Sequence, residues 1–285
     1  MTSRFPIAIT LAALIAACGP GEKPANDNPV ETATTATAAT TTTVGTPAAM
    51  PARPDVKIPS EGLALWLAAD ELAKTGANEN EITEWRSPNN MRAVAVGEGR
   101  APRLYANAIN GKAAVRFDGE NDLLQTNVNV DAEVMPNVTI VAVFNSRVAD
   151  TETQRKLYGQ DNGGYDRAAG IDGRARTANY AIFGGSQSVV PFFTLEANRT
   201  YLTVDSYAPG ALNAWVNGEK KVNAVPATHD AGLPHLYLGG TGTSFDEPWA
   251  GDIAEVLVYM RTLTDAERMQ VEDYLAAKYG VALVR

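Results

Sequence analysis

Residues 249–279 read WAGDIAEVLVYMRTLTDAERMQVEDYLAAKY: an apolar, strand-like run over 253–259, a short polar turn, and a helix with both ends marked. Thr264 stands three residues before Glu267, so its hydroxyl takes the Glu267 backbone N–H while the glutamate reaches back to the Thr264 N–H. Asp265 adds negative charge to the first turn, where the helix dipole favours it. Val271, Tyr274, Leu275 and Tyr279 share one side at helical spacing, and Gly280 follows, the expected residue beyond a helix end. One helix face is therefore expected to dock on the sheet that carries residues 253–259.

Upstream, the apolar pattern has the period of strands. Leu63, Leu65 and Leu67 alternate with Ala64 and Trp66 as in a half-buried strand. Residues 138–144, VTIVAVF, are apolar on both faces and predict a central strand covered on both sides. Residues 113–117, 180–183, 189–195, 200–207 and 235–238 are further candidates. Asn217-Gly218 joins 212–216 to 219–225 as a two-residue type I′ turn, in which both central residues take positive φ. Ten to twelve short strands with one late helix predict an all-β fold, an antiparallel two-sheet sandwich.

Three stretches carry a family resemblance: GDIAEVLVYMRTLTDAERMQVEDYLAAKYG (251–280), NGKAAVRFDGENDLLQT (110–126) and AWVNGEK (214–220). They resemble bacterial LamG-like jelly-roll domains of the concanavalin A-like lectin/glucanase superfamily, over about residues 60–283. The resemblance implies a jelly roll at 59–285. That superfamily includes lectins, carbohydrate-binding and adhesion modules and glycan-cleaving enzymes, so function has to be argued from a site.

The net charge of −9 over 285 residues, with no basic run, argues against nucleic acid as a partner. It also disfavours polyanionic glycans unless a metal or a local basic patch intervenes. The single cysteine, Cys18, closes Ile15-Ala16-Ala17-Cys18 behind Arg4 and an apolar run at 7–17 too short to span a bilayer. This looks like a lipobox: residues 1–17 are expected to be a signal peptide and Cys18 the lipidated residue. By analogy with Gram-negative lipoproteins, Gly19 in place of aspartate directs the protein to the outer membrane. Residues 18–58 are rich in Thr, Ala and Pro with few large apolar side chains, the composition of a disordered, lipid-anchored tether.

Several constellations bear on chemistry. Asp118, Asn121 and Asp122 crowd one turn, and Asp246, Asp252 and Glu255 lie near the closing strand; such hard oxygen donors suit calcium, which LamG-like relatives often carry at a rim. The alternative is a turn whose Asp and Asn satisfy local backbone N–H groups. Zinc is disfavoured, since His229 and His235 stand alone. A retaining glycosidase needs two carboxyls ~5 Å apart, at strand spacing of two. Asp252 and Glu255 are three apart and would point to opposite faces of a regular strand; Glu79 and Glu81 sit in a loop-like segment. His235 and Tyr237 share a face and are the one acid–base pair to weigh for a polysaccharide lyase. No Gly-x-Ser-x-Gly or phosphate-binding glycine loop is present. For glycan binding, Trp249, behind a polar loop and Pro248, is the first aromatic candidate, with Tyr165, Asn162 and Asp166 next. The expectation is a lipid-anchored recognition or adhesion module for envelope or extracellular glycan. The alternatives are a lyase or glycosidase with an atypical site and a structural envelope protein.

Overall fold

Short apolar runs broken by Gly, Asn and Asp turns form sixteen strands among the residues described by the computed structural model, which are 49–50, 57–76, 78–149, 153–185, 188–242 and 247–285. In chain order they are β1 Leu63–Ala68, β2 Glu84–Arg86, β3 Arg92–Ala95, β4 Arg103–Ile109, β5 Lys112–Asp118, β6 Leu124–Thr126, β7 Val138–Ser146 and β8 Arg155–Gly159. They continue as β9 Ala168–Ile171, β10 Asn179–Phe183, β11 Val189–Thr194, β12 Thr200–Ala208, β13 Ala211–Val216, β14 Glu219–Val225, β15 Tyr237–Leu238 and β16 Ala250–Tyr259. A short helix α1, Ala69–Ala73, follows β1, and α2, Asp265–Tyr279, follows β16.

Two antiparallel sheets of eight strands result. One runs β14-β13-β12-β7-β16-β5-β4, with β1 also paired to β16; the other runs β11-β10-β9-β8-β15-β6-β3-β2. Their facing sides enclose the main core, which includes Leu65, Leu67, Trp85, Phe117, Ile140, Phe144, Tyr180, Trp249 and Val256. The fold is an all-β two-sheet sandwich with one long C-terminal helix, as the strand spacing predicts. Both ends of α2 are as expected: Thr264 and Glu267 exchange the two capping bonds, and Gly280 is left-handed at φ 68°. At the hairpin of β13 and β14, Asn217 (φ 48°) and Gly218 (φ 85°) both take positive φ.

The helix covers the outer side of the first sheet. Val271, Leu275 and Tyr279 pack there against Trp66, Val141, Val143, Leu257 and Tyr259. All nine residues of β7 are buried, in line with its apolar-on-both-faces pattern. β1 departs from its half-buried expectation, since all six of its residues are buried: Leu65 and Leu67 face the main core, while Leu63 and Trp66 face the helix. Met50 and Ile58, within the stretch read as tether, also pack on this helix-side cluster, because apolar side chains beside an apolar groove gain by leaving water.

A bulge between Ile253 and Glu255 changes the reading of β16. It inserts one extra residue, so Asp252 and Glu255 both reach the outer side of the sheet instead of opposite faces. Glu255 is fully buried beneath the helix. Its carboxylate accepts from Trp66 Nε1 at 2.5 Å, Lys278 Nζ at 2.7 Å and Tyr279 Oη at 2.8 Å, and Lys278 also lies 3.2 Å from Asp70 of α1. Glu255→Ala would leave Lys278, Trp66 and Tyr279 without this acceptor. It should cost about 3–5 kcal/mol by urea unfolding, as for other broken buried pairs, with Glu255→Gln costing less; an unchanged unfolding midpoint for Glu255→Ala would show that the helix docks without it.

The main core holds a second buried carboxyl. Asp205 faces inward from β12, accepts the Tyr158 hydroxyl at 2.7 Å, and forms no ion pair among the described residues; Tyr158 lies 3.1 Å from the Tyr207 hydroxyl, which donates to the Ala168 carbonyl. Burial pushes Asp205 up to about 7, with the Tyr158 bond opposing. The native state therefore keeps a proton that the unfolded chain, titrating near the model-peptide value of about 3.9, gives up, and stability falls as pH rises between those values. Thermal melts of wild type and Asp205→Asn from pH 4 to 8 should show the variant gaining on wild type up to about pH 7 and then running parallel; parallel curves throughout would refute the assignment.

Candidate binding cleft

The cleft lies on the outer side of the first sheet, beyond the apolar cluster under α2. On β5, Val115 and Phe117 enter the core, which turns Arg116 outward. Arg116 is paired in register with Asp252 of β16, and Asp252 with Asn145 of β7, so three polar side chains form one cross-strand row. Arg116 Nε and Nη2 donate to the two oxygens of Asp252 at 2.6 and 3.1 Å, and Asn145 Nδ2 supports the same carboxylate at 3.2 Å. The paired carboxylate raises the Arg116 pKa. Arg103 stands directly opposite Arg116 across β4 and β5. Two cations so placed repel, and each is offset by its own acid: Asp252 for Arg116, and Glu81, 2.8 Å from Arg103, for the other.

Glu81, Arg103 and Arg116, together with Tyr105, Asp118, Asp122 and Arg147, line an open cleft of about 270 Å³. The Arg116 guanidinium lies over the Tyr105 ring, 4.0 Å from its centroid. Arg147 follows β7 and is exposed, and its side chain has no hydrogen bond or ion pair among the described residues. Asp118 accepts the backbone N–H groups of Glu120, Asn121 and Asp122; burial raises its pKa, but these bonds outweigh it and hold the group below the usual value. Asp122 accepts the Asp118 N–H at 2.8 Å, yet burial first, and then the charges of Asp118 and Glu81, carry it up to about 6.

Among the described residues, those expected to bind calcium are not grouped as a metal site. Asp118 and Asp122 brace their own turn, Asn121 sits in that turn with its N–H and carbonyl bonded to Asp118 and Arg100, Asp252 is held by Arg116, and Glu255 lies beneath the helix. Asp246 falls outside the described residues, as do Cys18, the signal peptide and nearly all of the tether. Among the described residues no three His, Cys, Asp or Glu side chains are grouped to hold a metal ion. The turn-forming alternative accounts for Asp118 and Asp122.

Trp249 is a correction. It is fully buried and packs edge-on to Phe144 in the main core, 5.5 Å between ring centres; its position after Pro248 marks re-entry into the sheet rather than a surface platform. Asn162, Tyr165 and Asp166 do come together, in the loop between β8 and β9, but mainly as bracing. Asp166 is buried with one oxygen on the Asn162 N–H, Asn162 Nδ2 donates to the Ala231 carbonyl, and the Tyr165 ring already contacts Phe183 and the Arg174 guanidinium. His235 and Tyr237 share a face, with rings perpendicular at 6.4 Å. Both are buried, burial lowers the His235 pKa and raises that of Tyr237, and the Tyr237 hydroxyl donates to Gln125. An acid–base pair needs reach to a substrate, and burial of both rings disfavours that role.

No protein-family model and no curated protein matches the sequence. Solved structures resemble the fold. The Trypanosoma rangeli sialidase in complex with the inhibitor DANA aligns at TM-score 0.54 and 16% identity, over 79% of this chain and 35% of that one. The HCR/D W1238A mutant aligns at TM-score 0.51 and 12% identity, over 74% and 52%. Domain 4 of AbnA, an arabinanase of Geobacillus stearothermophilus in complex with arabinotriose, aligns more loosely at 0.49 and 18%, over 74% and 97%. The chain thus spans about a third of the sialidase, and at these identities the likeness is one of fold.

Proposed function

We propose that residues 59–285 form a LamG-like, concanavalin A-like recognition module for envelope or extracellular glycan, held at the bacterial outer membrane by a lipid on Cys18 and the tether at 18–58. The cleft beside β4 and β5 carries the reading. It is open, and it sets the Tyr105 ring among guanidinium and carboxylate groups that exchange hydrogen bonds with sugar hydroxyls. The sandwich fold, shared with a sialidase chain, is compatible with that role. Cleavage chemistry gains less support, because the acid–base pair weighed for it is buried.

Two measurements test the two halves of this reading. In affinity electrophoresis against a panel of immobilised polysaccharides, wild type should be retarded by at least one, and Tyr105→Ala should weaken retention by about tenfold, equivalent to ~1.4 kcal/mol, while Trp249→Phe should leave it unchanged in folded protein. Retardation by none of the panel would remove the glycan reading. For the anchor, Cys18→Ser should abolish incorporation of labelled fatty acid and release the protein from membranes; absence of label in both forms would remove the lipid.

A further inference from the structure

An acidic chain repels polyanions in general, yet the fold gathers three arginines in the cleft beside Glu81, Asp118 and Asp122. Arg103, Arg116 and Arg147, from β4, β5 and the residue after β7, line it together. The three differ in what they still offer. Arg103 gives Nη1 to the Glu79 carbonyl and Nη2 to Glu81. Arg116 gives Nε and Nη2 to Asp252, which leaves its Nη1 donors. Arg147 is exposed and has no side-chain partner among the described residues.

We infer that the cleft is selective for a sugar carrying a carboxylate, with Arg147 as its ionic anchor and Arg116 Nη1 as a second, fixed donor. This rests on the glycan reading above and names the ligand class within it. A guanidinium matches the two oxygens of a carboxylate better than it matches scattered hydroxyls. Arg116 is held in place by Asp252, Asn145 and the Tyr105 ring, so little side-chain freedom is lost when it meets a ligand. The acids of the cleft are largely engaged. Glu81 is paired with Arg103, and Oδ1 of Asp118 accepts three backbone N–H groups. Buried Asp122 accepts the Asp118 backbone N–H.

Calorimetric titration of the mature protein tests the inference with matched pairs: oligogalacturonate against its methyl ester, and sialyllactose against its carboxyl methyl ester. The members of each pair differ chiefly in the charged carboxylate, and the two pairs separate a uronate from a 2-keto sugar acid. At least one acid should bind roughly tenfold or more tightly than its uncharged counterpart, in line with a charge-assisted guanidinium contact. Arg147→Ala should bring the acid down to the level of the uncharged ligand, with Arg147→Lys recovering part of the difference. Equal binding within both pairs, or a preference that survives Arg147→Ala in a protein with wild-type melting, overturns the inference. If neither pair binds but neutral polysaccharides still retard the protein, the acid selectivity fails while the glycan reading stands; if nothing binds in either assay, both fail.

Discussion

The molecule depends on covering a sheet that is apolar on both faces. β7 and the second half of β16 present buried side chains to the main core and to the outside alike, and an uncovered outer face would be a contiguous apolar patch of the kind soluble proteins avoid. Helix α2 supplies the cover, and the bulged Glu255 ties it down by joining β1, β16 and α2 through Trp66, Lys278 and Tyr279. Such a buried charge is costly to desolvate. What it adds over another leucine is geometry, since one donor of β1 and two of α2 meet one carboxylate only in one helix position. We regard the bulge and this glutamate as a single device.

The cleft follows from where that cover ends. Along β5 and β16 the apolar outer surface gives way to Arg116 and Asp252, polar groups that satisfy one another and so need no helix above them. A rigid polar floor remains beside the open turn of Asp118 to Asp122. The main core shows the opposite economy. Asp205, Tyr158 and Tyr207 spend hydrogen bonds in the interior, where an unpaired oxygen is costly, and the Asp205 carboxyl responds by holding a proton.

Elements whose determinants are local were legible in the sequence. The Thr264–Glu267 box, Gly280, Asn217-Gly218 and the doubly apolar VTIVAVF each carry their structure within a few residues. β8 and β9 escaped notice because RKLYG and AAGI are short and lie in a polar, glycine-rich stretch, so their strand state comes from neighbours far along the chain. β1 was read as half-buried because its outer cover is a helix some two hundred positions away. The cleft was invisible for a related reason. Arg103, Arg116 and Arg147 are ordinary in sequence, and only the antiparallel registers of β4, β5, β16 and β7 bring them together. Trp249 misled because a tryptophan after a polar loop and a proline looks exposed, when it is an inward residue just before the closing strand. The pointing of Glu255 was misjudged because a bulge leaves no mark in the local pattern.

The chain enters the domain where it is about to leave it. Arg261 donates to the Glu61 carbonyl and to both oxygens of Glu267, and the Tyr259 hydroxyl donates to the Pro59 carbonyl, so the incoming segment is stitched to the start of α2. β1 then runs antiparallel to β16, with Leu63 opposite Tyr259 and Ala68 opposite Glu255, while the cleft lies near the other end of β16. A pull between the incoming segment and a ligand in the cleft is therefore directed lengthwise along β1 and β16. Their ladder is loaded in shear, every rung at once, instead of being peeled open rung by rung, which is the stronger of the two arrangements.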